Sequence, residues 1–112
     1  MDVIAFEPDL LIGEDLRDAA RAAGARARLV RHASNVPRAL ERAIGSMVLM
    51  LSASSVARHA AELEPVLTRK DVRVVLFGVD QDHPGGTAFS AVLPDPFTNF
   101  DVENALARLR SP

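Results

Sequence analysis

The run "MVLML", Met47 to Leu51, is apolar at every position, and it constrains the fold of this chain more than any other stretch. A strand with one face in water alternates polar and apolar residues. A strand with no polar position must be covered on both faces, as strands of a parallel sheet are. Val72 to Phe77 is nearly all apolar in the same way. Parallel neighbours cannot be joined by a tight turn and need a crossover, usually a helix. The sequence between the apolar runs should therefore show helical period.

It does. Val3-Ile4-Ala5-Phe6 is the first strand, and from Leu11 to Ala23 the residues Ile12, Leu16, Ala19, Ala20 and Ala23 share one helical face, with Gly24 as the stop. Ala27 to Val30 is a short second strand. Ser34 or Asn35 is expected to cap a second helix, with Pro37 in its first turn and Val36, Leu40 and Ile44 as its stripe. A third helix is expected from about Ser55 through Val56, Ala60 and Leu63, and Pro65 should kink or end it. Ala88 to Leu93 follows as the fifth strand. Thr98, with Asp101 three residues on, forms a capping box that opens a last helix through Val102, Leu106 and Leu109. Strands alternating with single helices predict right-handed βαβ units in one α/β layer structure.

The chain has 112 residues, enough for one core and not two, so residues 1–112 are read as a single domain. Its net charge of −2 gives no electrostatic reason to expect nucleic acid or an anionic membrane as partner. The longest purely apolar run is far too short to cross a bilayer. "MDVIAF" carries no basic segment ahead of an apolar one, so no signal peptide is visible. There are no cysteines, which removes disulfides, thiolate metal sites and thiol chemistry. A cytoplasmic location is expected.

In open parallel sheets, ligands gather outside the carboxyl ends of the strands. Those ends are Glu7, Ser52, Gly78 and Asp95, with Asp9 and Asp80 close behind. The opening "FEPDLLIGEDL" and the closing "VLPDPFTNFDVENALARL" together resemble the receiver domain of two-component response regulators, across essentially the whole chain. The first resembles the family's acidic cluster and first helix, the second its Lys-Pro-Phe elbow and last helix. The separation of Glu7 from Ser52 also matches the family's spacing between acidic cluster and phosphoacceptor. The resemblance implies a flavodoxin-like (βα)5 doubly wound parallel sheet with strand order 2-1-3-4-5. The interval from Gly78 to Asp95 is shorter than a typical receiver's and contains Pro84-Gly85-Gly86, so helix 4 is expected to be short or missing.

A receiver transfers a phosphoryl group to an aspartate, with carboxylate-held Mg²⁺, a hydroxyl and a lysine around it. Residue by residue, the resemblance implies that this chemistry is lost. Glu7 retains the first acidic position. Pro8 stands where the principal Mg²⁺ ligand belongs, and Asp9 is one place too far on. Ser52 stands at the acceptor position, and its hydroxyl cannot form an acyl phosphate. Gly78 removes the switch hydroxyl. Asp95 puts a negative charge where the lysine should be. Pro96 and Phe97, the structural elbow, persist: the family's proline shapes a tight bend, commonly through a cis bond, and the aromatic packs beneath the last helix.

Other motifs have a plainer reading beside the sharper one. Asp80, Asp82 and His83, with Glu7, Asp9 or Asp95, are candidate ligands for a divalent metal, but without distinctive spacing they read as a polar turn. Gly85-Gly86 lacks the surroundings of a phosphate loop. Arg26, Arg28 and Arg31 could recognise an acidic partner or phosphate, although charge on an edge strand also guards against edge-to-edge pairing. His32 and His59 stand alone. Ser52-Ala53-Ser54-Ser55 lacks the GxSxG elbow of hydrolases, and its serines read as helix caps.

The expected function is a phosphorylation-independent pseudo-receiver in bacterial signal transduction, an interaction module and not an enzyme. It should bind a protein partner or form a homodimer, with no cofactor, no nucleic acid and no membrane. The alternative is a small-ligand or metal-binding protein using the acidic carboxyl-edge pocket.

Overall fold

The computed structural model describes residues 1–79 and 89–110. Among them, β1 (Asp2–Phe6), β2 (Arg26–Val30), β3 (Met47–Ser52), β4 (Val72–Phe77) and β5 (Ala91–Val92) form one wholly parallel sheet in the order β2-β1-β3-β4-β5. The helices are α1 (Leu10–Ala22), α2 (Val36–Glu41), α3 (Ala53–Arg58), α4 (Ala60–Leu67) and α5 (Asn99–Arg110), with a 3₁₀ turn over Ala33–Asn35.

Both faces of the sheet are covered, as the apolar run Met47 to Leu51 of β3 requires. Val48 and Met50 point to the side packed by Leu16, Ala19 and Ala20 of α1 and by Val102, Ala105 and Leu106 of α5. Leu49 and Leu51 point to the other side, against Val36, Ala39 and Leu40 of α2 and Leu63 and Val66 of α4. This alternation along one strand builds two cores that share a backbone. In register, Phe6 lies beside Leu51, and Ser52 beside Phe77, so the carboxyl ends of β1, β3 and β4 finish level. Gly13 lets α1 approach β2 closely: a Cβ there would stand 2.5 Å from Cδ1 of Leu29. No helix of the described residues is long and apolar enough to cross a membrane.

Four local expectations are corrected. The third helix breaks at His59 (φ −120°, ψ 29°), not at Pro65, which sits inside α4. The break comes where the imidazole turns inward, edge-on to the Phe6 ring at 5.7 Å. Ile44 is not part of the stripe of α2. That helix ends at Glu41, and the backbone N–H of Ile44 donates to the Asp2 carboxylate, leaving its side chain exposed. Neither Ser34 nor Asn35 makes a capping bond, because the 3₁₀ turn runs directly into α2. The fifth strand is shorter than Ala88 to Leu93. Only Ala91–Val92 pair with β4, and Pro94, with no N–H, cannot extend the ladder. Ala88 itself, and the expected short or missing helix 4, lie outside the described residues. The capping box is present: Thr98 N–H donates to Asp101 Oδ2 at 2.7 Å, and Asp101 N–H to Thr98 Oγ1 at 3.3 Å.

Candidate functional site at the carboxyl edge

Because the strands end level, Glu7, Ser52 and Gly78 come together around one cleft of about 570 Å³. The segment after β5 closes it with Asp95, Pro96 and Phe97, and α1 contributes Ile12 and Asp15. Three carboxylates line this cleft, and among the described residues no basic side chain does. No three carboxylate or imidazole groups among the described residues converge closely enough to hold a metal ion.

Each residue has a structural occupation. Glu7 is buried, and its Oε2 accepts the N–H of Asp9 at 3.0 Å. Asp9 is the N-cap of α1, its Oδ1 accepting from Leu11 N–H at 3.0 Å and Ile12 N–H at 3.2 Å. Ser52 is buried and caps α3: its Oγ accepts Ser55 N–H at 3.0 Å and donates to Ser55 Oγ at 3.0 Å. Another hydroxyl, Ser54 Oγ, lies 3.1 Å away, so among the described residues the hydrogen-bond partners of the Ser52 hydroxyl include no base. Gly78 has φ +68°, in the left-handed region that threonine and serine avoid. The Asp95–Pro96 bond is cis, and the Phe97 ring packs edge-on against Phe77 at 5.4 Å.

Pro8 and Asp9 are not in the cleft. Pro8 lies beside it, in a second hollow of about 470 Å³ shared with Arg31, His32, His59 and Glu62. There the Pro8 carbonyl accepts two bonds from the Arg31 guanidinium, and His59 Nδ1 lies 3.4 Å from Glu62. Asp80, Asp82 and His83 lie outside the described residues. Asp15 and Asn99 line the cleft and were missed by sequence reasoning, and Asp15 is the charged one. Its signal was present: it stands one helical turn after Ile12 and so shares the face of α1 turned to the cleft.

The sheet order, the two covered faces and a cleft at the carboxyl edge ahead of a Pro-Phe elbow are the architecture of response-regulator receiver domains. No protein-family model matches the chain, and no curated protein matches it. Solved structures do. A response regulator receiver protein from Burkholderia phymatum superposes with a TM-score of 0.76 at 16% identity, over 96% of this chain and 93% of that one. An atypical orphan response regulator, described as revealing a phosphorylation-independent regulatory mechanism, gives 0.72 at 13% identity, over 100% and 98%. The pseudo-receiver domain of the CikA protein gives 0.69 at 18% identity, over 99% and 98%. At these identities the likeness is one of fold, and the fold is the receiver's.

Proposed function

We propose that this chain is a pseudo-receiver: a single cytoplasmic domain of bacterial two-component signalling that works without phosphorylation and docks a protein partner or a second copy of itself. It is not an enzyme in this reading. The observation that carries it is the charge of the cleft. Glu7, Asp15 and Asp95 surround the place a phosphoryl group would occupy, with no cation among the described residues to neutralise its oxygens. Ser52 supports the same reading, because its hydroxyl is committed to capping α3 and has hydroxyls, not a base, beside it. The likeness of fold to a regulator described as phosphorylation-independent and to a domain described as a pseudo-receiver supports the same reading.

Incubation with acetyl phosphate and Mg²⁺, read by intact mass, tests the proposal. The protein should remain unmodified, while an intact receiver treated in parallel gains a phosphoryl group. A stoichiometric adduct on this chain would overturn it. Light scattering then distinguishes a self-docking module from one that needs another protein.

A further inference from the structure

The amino end of the sheet is as basic as the carboxyl end is acidic. Arg26 and Arg28 alternate with Ala27 along β2, so both side chains leave the strand on one face, the face covered by α2. Arg42 follows the last turn of α2, Arg38 stands one turn earlier, and Arg21 reaches over from the end of α1. A groove of about 320 Å³ between β2 and α2 is lined by Arg21, Arg26, Arg28 and Arg42, with Asp2 among its walls. It continues into a hollow of about 290 Å³ lined by Arg28, Arg38 and Arg42.

Two of these arginines are held in place. Arg21 donates to the Ala27 carbonyl at 3.0 Å, and Arg26 stands 3.2 Å from the buried Asp2 carboxylate. Arg28, Arg38 and Arg42 are exposed and have no side-chain partner among the described residues. Asp2 therefore offsets only one of five guanidinium groups. Glu41, next to Arg42 in the chain, lines neither the groove nor the hollow. Like charges gathered without counterions repel, and an anion seated among them relieves that repulsion.

We infer that this groove binds a small ligand bearing clustered phosphates. Guanidinium groups present forked donors that match phosphate oxygens two at a time. The groove is at the size of small-molecule sites and too compact for a long acidic segment. Strand addition along β2 is also disfavoured, since Arg21 already occupies the outward carbonyl of Ala27. The phosphates could belong to a nucleotide or to an inorganic chain, and the two share the chemistry that the groove recognises.

Calorimetric titration at low ionic strength tests this, with ATP and tripolyphosphate as separate probes and a poly-glutamate peptide as the competitor class. Binding of both phosphate probes places recognition in the phosphate chain. Binding of ATP alone assigns it to nucleotides, and of tripolyphosphate alone to inorganic chains. The paired substitution Arg28→Gln with Arg42→Gln should weaken binding by about tenfold or more, since charge-assisted contacts are strong. The pair Arg58→Gln with Arg108→Gln, outside the groove, should not. Failure of both probes to bind, equal loss in the two paired variants, or poly-glutamate binding as tightly as tripolyphosphate would each overturn the inference. None of these outcomes depends on whether the carboxyl-edge cleft accepts a phosphoryl group.

Discussion

Gly78 bears on the cleft both chemically and through its backbone. It carries no hydroxyl, and its backbone at φ +68° is one that a side chain with a Cβ resists. Space is not the obstacle, because a Cβ there would meet only Ser52 Cβ, at an ordinary 3.9 Å. The cost of Gly78→Ala should thus be purely backbone, about 1–2 kcal/mol, and Gly78→Thr should cost more because branching at Cβ stiffens the residue further. Urea melts of the two variants check this, and unchanged stability in both would mean that the chain at Gly78 is not left-handed in solution. Placing a hydroxyl-bearing side chain at this position is consequently more than a local edit, since the left-handed backbone would be strained by it. Asp95 differs in kind: it is exposed, and its substitution alters the charge of the cleft without demanding a new backbone.

At the scale of the element, Ser52 acts at a helix start. Removing its Oγ in Ser52→Ala should destabilise the protein by about 1 kcal/mol through the lost cap of α3, measurable as a lowered urea midpoint. A variant as stable as the parent would show that the cap is not formed. Elements like β3, β4 and α5 were legible in the sequence because a single local signal decides them: uninterrupted apolar runs for the strands, Thr98 and Asp101 for the start of the helix. The cleft was legible for the same reason, since it follows from where strands end. What was not legible depends on tertiary partners. The break at His59 is tied to a contact with Phe6, distant in the chain, and Ile44 is placed by a bond to Asp2 at the other end of the sheet's first strand. Asp9 looked like a stray ligand and is a cap, a role fixed by where α1 begins. The arginine groove needed three elements brought together before Arg26 and Arg28 could be seen beside Arg21, Arg38 and Arg42.

For the molecule as a whole, the sheet divides the described core residues into two clusters that share its backbone. Val36 and Val102 are both fully buried, one on each side. Truncation of either to Ala should cost about 2 kcal/mol, from lost methyl burial and the cavity left behind. The double variant should show the sum within about 0.5 kcal/mol, because among the described residues the two sites belong to different core clusters. A large coupling energy in denaturant titrations would mean that the two layers are not independent. The same sheet also sets apart the molecule's charges, with acid at the carboxyl edge and arginine at the amino edge, so a net charge of only −2 conceals a marked polarity along the strands. A small anion nearing this domain is therefore turned away by the three carboxylates at one end and met by guanidinium groups at the other.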